Sequence, residues 1–264
     1  MKIWANTIVN NEENFLWFAV SSVINYVDKI LIYDTGSTDK TVEVIKVLQE
    51  KYGAKIIFKE KGEVDANKFT KLRQEMLEES DCDWVLVLDG DEVWWKDSIK
   101  KAVEVIGKNG KNLDGIVVPM IVPVGDIFHL QDENAGKYEI LGKKGHISLK
   151  LINRHIEGLH TGQPYGKEGY SDKENILIQQ HKNLEFINSP MMHLTHLRRS
   201  SKKRKYNKFK YELGKKVNSD FKFPEVFIND YPDTISNPFQ KISEGDLITA
   251  RILTPLRKLK RKIK

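Results

Sequence analysis

A single cysteine, Cys82, stands in a chain of 264 residues. One thiol excludes an intramolecular disulfide framework and any cysteine-rich zinc module, and the composition suits a reducing compartment. Long apolar runs are missing too. The longest near the start, Phe15 to Val20, falls far short of the roughly 20 residues a membrane span needs. No long apolar segment follows Met1-Lys2-Ile3-Trp4-Ala5, so no secretory leader is expected. Glycine is absent where several nucleotide enzymes require it. The loop after the first apolar run reads Asn10-Asn11-Glu12-Glu13, and neither a G-x-G-x-x-G nor a Walker loop occurs anywhere. The phosphate-cradling turns of common nucleotidyltransferases, dehydrogenases and kinases therefore have no counterpart.

Of the residues present, 40% are hydrophobic and 30% charged, with a mean hydropathy of -0.48. That is enough for one large α/β domain or two small ones, and too apolar for a disordered chain. Lys+Arg 43 against Asp+Glu 37 gives a formal charge of +6, which by itself points to nucleic acid, an anionic membrane or an acidic substrate. Its distribution narrows the choice. Residues 251–264 carry seven cations and no acid, more than the whole surplus, and residues 198–210 carry eight. The rest of the chain is acidic.

The first 120 or so residues alternate short apolar runs with helix-period segments. Strands are predicted over 2–9, 29–33, 55–58, 84–88 and 115–122, and helices over 12–26, 39–51, 65–79 and 97–106. Thr38 is a candidate N-cap of the second helix, whose apolar stripe is Val42, Ile45 and Leu48. This rhythm implies a mostly parallel sheet with right-handed crossovers and helices on both faces, a Rossmann-like α/β half. Residues 124–145 read as a long loop or excursion and 146–153 as another strand.

Ligands of such sheets sit beyond the carboxyl ends of the strands. The loops there are Asn10-Asn11-Glu12-Glu13-Asn14, Asp34-Thr35-Gly36-Ser37-Thr38-Asp39 and Asp89-Gly90-Asp91-Glu92, all rich in carboxylates and small residues. Asp89-Gly90-Asp91 ends the apolar run Trp84 to Leu88. Paired carboxylates at a strand end suit Mg²⁺ or Mn²⁺ bridging to a diphosphate, whose charge the ion neutralises. A solvated acidic turn is the alternative; a calcium loop of the EF-hand kind is excluded, because Trp94 stands where it needs glycine.

These three loops, in this order and spacing, resemble those of the family-2 glycosyltransferases, which have the A-type glycosyltransferase fold. The matching pieces are Asn11-Glu12-Glu13, Asp34 to Thr41, and Leu88-Asp89-Gly90-Asp91-Glu92. The resemblance covers residues 1–122 and extends more weakly to Arg198. It implies a donor that is a nucleotide-diphosphate sugar, UDP- or GDP-linked, with Mn²⁺ or Mg²⁺. It also implies roles: Asn10, Glu12, Asp34, Arg73, Asp89 and Arg198 toward the nucleotide sugar, and Asp91 with His196 on the metal. His193 and His196 share the segment that carries such a histidine in relatives. They share a face only if it is helical. For the base, relatives have a His-Glu pair where this chain has His160-Thr161. Glu157, His160, Glu168 and Asp132 all remain candidates. Trp94 and Trp95 read as core or as a platform for a sugar ring.

The expected organisation is a catalytic domain over 1–197, with a nucleotide-sugar half (1–122) and an acceptor half (123–197), followed by a basic, partly helical extension over 198–264. Residues 198–210 and 251–264 both read as basic amphipathic helices, the second interrupted by Pro255, and the tail is a candidate for an anionic membrane surface. No nucleic-acid-binding module accompanies the charge. The expected function is metal-dependent, inverting sugar transfer to a glycan, lipid-linked or cell-surface acceptor, in the cytoplasm or at the cytoplasmic membrane face. The alternative is a non-catalytic chain of the same fold serving as a basic interaction module at membrane or nucleic acid.

Overall fold

The computed structural model describes residues 1–162, 169–202 and 209–263. The candidate base Glu168 and the middle of the first basic run, 203–208, lie outside the described residues.

The first half runs β1 (Ile3–Val9), α1 (Leu16–Val23), β2 (Lys29–Asp34), α2 (Thr41–Tyr52), β3 (Ile56–Glu60), α3 (Ala66–Glu79), β4 (Trp84–Val87), β5 (Glu92–Trp94), α4 (Lys96–Asn109) and β6 (Gly115–Ile121). Short strands follow: β7 (Pro123–Val124), β8 (Asp126–Leu130), β9 (Tyr138–Ile140), β10 (Lys143–Gly145), β11 (Ile147–Asn153), β12 (His160–Thr161), β13 (Tyr170–Ser171), β14 (Leu184–Phe186), β15 (Met191–His193) and β16 (Lys215–Lys216). A long helix, α5 (Glu244–Ile263), comes last.

Nine strands form the central sheet in the order β3-β2-β1-β4-β11-β6-β15-β5, with β14 also paired to β6. The β3-β2-β1-β4 half is parallel, and β11 lies antiparallel to both its neighbours. Every residue of β1 is buried, as befits a parallel strand covered on both faces. One face packs on α1, α2 and α4 through Phe18, Ile45 and Ile99; the other packs on α3 through Leu72, Met76 and Leu77. Asp65 starts α3 by accepting the Lys68 N–H at 2.7 Å.

Several expectations need correction. Residues 124–145 are no long loop but hold β8, β9 and β10, strands of three to five residues too short to show a period. The first helix spans Leu16–Val23 rather than 12–26, because residues 12–15 form turns in which the Glu12 carbonyl accepts from Phe15 and Leu16. The second begins at Thr41 with Lys40 at its N-cap; the Thr38 N–H is taken instead by Asn11 Oδ1 at 2.8 Å. Residues 198–202 and 209–213 are not helical. Pro255 does not interrupt α5. Its missing donor and ring clash cost about 3 kcal/mol, and the helix is pinned on both sides of it, by Asp246 to Arg198 and by Arg261 to Glu212.

Residues 198–264 share the main core with what precedes them. Phe227 is buried and meets Phe18 edge-on at 5.1 Å and Phe239 at 6.1 Å. Phe128, Phe221 and Phe223 continue this aromatic seam. Trp94 is buried in the core, while Trp95 donates its indole N–H to the Lys222 carbonyl at 2.9 Å. Among the described residues, no helix is long and apolar enough to cross a membrane. Phe227→Ala should lower unfolding stability by about 3–5 kcal/mol through lost burial and the cavity left behind, measured by urea unfolding; a change below about 1 kcal/mol would mean that the seam is not part of the main core.

Candidate active site

Parallel register sets the carboxyl ends of β1, β2 and β4 side by side, with Val9 opposite Asp34 and Asn6 opposite Val87. The first two loops are then tied together by their own polar groups. Asn10 Nδ2 donates to the Thr35 carbonyl at 2.8 Å, Asn11 Oδ1 accepts from Thr38 and Asp39, and the Glu12 N–H donates to Thr41 Oγ1 at 2.7 Å. Asn11 adopts φ +54°, a left-handed conformation that asparagine tolerates. The Asp34 carboxylate folds back onto its own loop, accepting the N–H groups of Gly36 and Ser37 at 3.0 and 2.9 Å.

The third loop approaches the first closely. A Cβ on Gly90 would lie 3.1 Å from both Glu12 Cγ and Val9 Cγ1, so the residue between the aspartates must be small. Asp89 and Asp91 thereby stand at one spot, and His193 joins them: one ligand atom from each of the three lies within 4.8 Å of the others. The histidine arrives through β15, which pairs antiparallel with β5 and sets His193 opposite Glu92. His193 Nε2 is 3.6 Å from Asp91 Oδ1. Burial disfavours the imidazolium, but Asp91, Glu92 and Asp89 outweigh it and raise the pKa above the ordinary histidine value.

Cations brace this acidic floor. Lys150, on β11, is buried with Glu92 at 2.6 Å, and Glu92 Oε2 accepts the Asp89 N–H at 3.0 Å. Burial pushes the Glu92 pKa up despite Lys150, whereas the attraction of Glu92 and Asp89 raises that of Lys150 against its own desolvation. Arg199 places one guanidinium nitrogen on Asp91 Oδ2 and 2.9 Å from Glu12 Oε1. Burial opposes its charge, and Asp91, Glu12 and Asp89 hold it protonated. Arg73, from α3, lies 3.4 Å from Asp89 Oδ1, 5.1 Å above the Phe69 ring and in hydrogen-bond contact with the Tyr170 hydroxyl. Burial works against an ionised Asp89, yet Lys150 and Arg73 more than offset it, and its pKa falls below the usual carboxylate value.

Of the residues singled out from the sequence, Asn10, Glu12, Asp34, Arg73, Asp89 and Asp91 all belong to these three loops or face them. Others are placed elsewhere. His196 is not in the carboxylate–histidine cluster; its backbone bridges Val124 and accepts from Lys210. Arg198 is 63% exposed and pairs with Asp246 of α5 at 2.7 Å. The next residue, Arg199, is the one that turns to the acids, reaching Asp91 and Glu12. Glu157 is 78% exposed and paired with Lys173 at 2.8 Å, and His160 Nδ1 contacts the Gly158 carbonyl at 2.9 Å. Asp132 lines a cleft of about 920 Å³ together with Val122, His146, Glu212 and Lys258. One wall of that cleft is β6, whose Ile121 pairs with Met192, the residue before His193. The sequence reading missed Lys150 and Arg199. A lysine in the middle of an otherwise apolar strand was the available signal for Lys150; nothing in the pattern marked Arg199 over Arg198.

Two carboxylates and an imidazole are hard oxygen and borderline nitrogen donors, and the three together could hold a divalent metal ion.

Comparison with known proteins agrees with this architecture. The family model described as Glycosyl transferase family 2 matches residues 7–161. An uncharacterized glycosyltransferase of Rickettsia typhi is 39% identical over 94 residues, 34% of this chain and 28% of that protein. One of Rickettsia conorii is 38% identical over 94 residues, 34% of this chain and 29% of that one. The match thus spans less than a third of the length of these relatives. Among solved structures, S. aureus TarS 1-349 in complex with UDP-GlcNAc superposes with a TM-score of 0.51 at 15% identity, over 79% of this chain and 60% of that one. Its complex with UDP gives 0.50 at 14%, over 74% and 60%. At that identity the likeness is one of fold, and the fold is the A-type glycosyltransferase architecture expected from the sequence.

Removing one partner of the Lys150–Glu92 pair leaves a buried charge uncompensated. Lys150→Met should therefore cost about 3–5 kcal/mol of stability, and the double variant Lys150→Met/Glu92→Leu should recover most of it. Chemical denaturation of the three variants checks this; additive losses would contradict a buried, coupled pair.

Proposed function

The chain belongs to glycosyl transferase family 2, and we propose that it moves a sugar from a nucleotide-diphosphate donor to a hydroxyl of a glycan, lipid-linked or cell-surface acceptor, with inversion. The observation that carries this is the convergence of Asp89, Asp91 and His193 at the strand ends; β6, the neighbour of the strand that carries His193, also walls a cleft large enough for a second substrate.

Residues 1–122 form the donor half, 123–197 the acceptor half, and 198–264 the extension that packs on both. Asp34 and the loop it orders face the nucleoside, which we take to be uridine or guanosine. Arg73, held by Phe69, Tyr170 and Asp89, flanks the nucleotide together with Asn10 and Glu12 of the first loop. Asp91, with Asp89 and His193, would hold Mn²⁺ or Mg²⁺, which supplies Lewis-acid stabilisation of the leaving diphosphate. Arg199 adds a buried, permanently charged guanidinium next to that diphosphate.

The acceptor hydroxyl approaches the anomeric carbon from the face opposite the leaving group. The new C–O glycosidic bond forms as the bond to the phosphate oxygen breaks, and a carboxylate takes the hydroxyl proton. Asp132 is the base we propose, because it lines the cleft walled by β6, the strand beside β15; its Oδ1 accepts the Asn134 N–H at 3.0 Å, so Oδ2 is the oxygen that would take the proton. Glu157 is engaged in an exposed ion pair and His160 Nδ1 with the Gly158 carbonyl. The transfer takes place at the cytoplasmic face of a membrane, through the basic C-terminal segment.

Calorimetry with UDP and GDP, with and without Mn²⁺, tests the donor site. Binding that strengthens with metal is expected, and Asp91→Asn should remove that enhancement while the fold stays intact. A folded protein that binds neither nucleotide under either condition would sink the proposal. Asp132→Asn should lower kcat by about 10²–10⁴-fold, the range for loss of a general base, with little change in nucleotide affinity. Unaltered kcat would assign the proton transfer elsewhere.

A further inference from the structure

The last helix is turned inside out relative to an ordinary amphipathic helix on a globular body. Its inward stripe is small, polar and charged. Asp246 pairs with Arg198 at 2.7 Å, and Ala250 and Thr254 are fully or nearly buried. Thr254 Oγ1 accepts the Leu213 N–H at 2.7 Å and donates to the Ala250 carbonyl at 2.6 Å. Two turns further on, Arg261 grips the buried Glu212 carboxylate with both terminal guanidinium nitrogens at 2.6 Å. These positions are spaced four, four and seven residues apart, so they share one face of the helix, and that face is committed to the body.

The opposite face is apolar and bare. Ile248, Ile252, Leu256 and Leu259 follow one another at spacings of four, four and three and form a single stripe. They are 59%, 65%, 62% and 57% exposed. Exposed Arg251 and Lys258 flank the stripe on one side and exposed Lys260 on the other. Residues 251–264 contain no acid at all. A second protein surface would normally bring carboxylates to match such flanks at fixed points. A bilayer matches the whole pattern at once, taking the apolar stripe among its acyl chains and the flanking cations among anionic headgroups.

We propose that α5 is a membrane-docking helix that lies in the plane of an anionic lipid surface, stripe inward to the lipid, with the catalytic body held above it by the Arg198–Asp246 and Arg261–Glu212 pairs. This rests on the membrane-face reading given above and not on the donor or metal assignments. It also fixes which part of the molecule meets the lipid. Lys258 lines the 920 Å³ cleft that β6 walls, so a docked α5 sets one wall of that cleft at the headgroup level. A hydroxyl carried on a lipid-anchored acceptor then enters without leaving the membrane.

Co-sedimentation of the full chain with vesicles tests the proposal. Binding is expected to vesicles of mixed phosphatidylglycerol and phosphatidylcholine, to weaken steeply with added salt, and to be far lower on phosphatidylcholine alone. Ile252→Asp/Leu256→Asp should lower it at least about tenfold, given the loss of inserted apolar surface, with the thermal transition unchanged because both side chains are exposed. Arg251→Glu/Lys260→Glu keeps the stripe and should weaken binding about fivefold or more for each cation removed. Equal sedimentation of the parent and the stripe variant would overturn the proposal. So would a parent dimer that the stripe variant converts to monomer while neither binds vesicles, an outcome that gives the stripe to a second copy. UDP binding measured in the same samples separates the readings: nucleotide binding without vesicle binding removes only the helix proposal, and vesicle binding without nucleotide binding removes only the donor site.

Discussion

Four carboxylates, those of Glu12, Asp89, Asp91 and Glu92, meet at the carboxyl ends of β1 and β4, and all but Asp89 are in buried residues. Each would carry a desolvation cost of several kcal/mol if left alone. What permits the arrangement is the delivery of Lys150 and Arg199 from far along the chain. Lys150 comes on β11, inserted antiparallel between β4 and β6, and Arg199 from the segment that follows β15. The first 122 residues therefore cannot hold their acidic loops in place without the rest of the chain. The antiparallel strands that interrupt an otherwise parallel sheet act as the carriers of counter-charge to a floor that the first 122 residues supply.

The same balance bears on the chemistry proposed for the site. Arg73, Lys150 and Arg199 nearly offset the four acids, leaving the pocket close to neutral, with His193 as an additional titratable group. An incoming diphosphate would tip such a pocket strongly negative. Either a divalent cation or a rearranged guanidinium must come with it, and Asp91 Oδ1, the oxygen that faces His193, is where oxygen and nitrogen ligands converge. The buried lysine is unsuited to that task, since it is committed to Glu92 in the layer beneath. Arg199 is suited to stabilise the leaving group because it already stands on Asp91 and cannot lose its proton.

The sheet and the three loops were legible because buried parallel strands write themselves as near-continuous apolar runs, and because Asp34 and Asp89 sit where those runs stop. Spacing alone failed at single-residue resolution. His193 and His196 are three apart, Arg198 and Arg199 adjacent; in extended chain, a shift of one residue exchanges the face that looks into the site for the one that looks away. Only the pairing of β15 with β5 decides it, by placing His193 opposite Glu92. The strands in 124–145 were invisible for another reason. Two to five residues do not carry a period, and Tyr138 and Lys143 are exposed, so no alternation of burial marks them in the sequence.

The C-terminal helix shows how charge pairing can override the rule that apolar faces turn inward. From sequence, residues 251–264 present leucines and isoleucines on one side and cations on the other, and burial of the apolar side would be the ordinary outcome. Glu212 decides otherwise. Its carboxylate is 2% exposed, Gln131 reaches it at 3.3 Å, and only a bidentate guanidinium satisfies both of its oxygens. Desolvation raises the pKa of Glu212, and the hydrogen bonds and charge of Arg261 bring it down below the ordinary value. Turning the helix by half a revolution would bury four aliphatic side chains but strand that acid in the protein interior. The cost of an unpaired buried carboxylate, several kcal/mol, is comparable to the gain from covering part of that stripe, about 1.5–3 kcal/mol for each side chain buried completely. The body must also offer an apolar surface to receive the stripe, and where α5 lies it offers Glu212, Arg198 and the Leu213 backbone instead. The polar face docks because the surface beneath it is polar, and the apolar stripe is left outward as a consequence of that match.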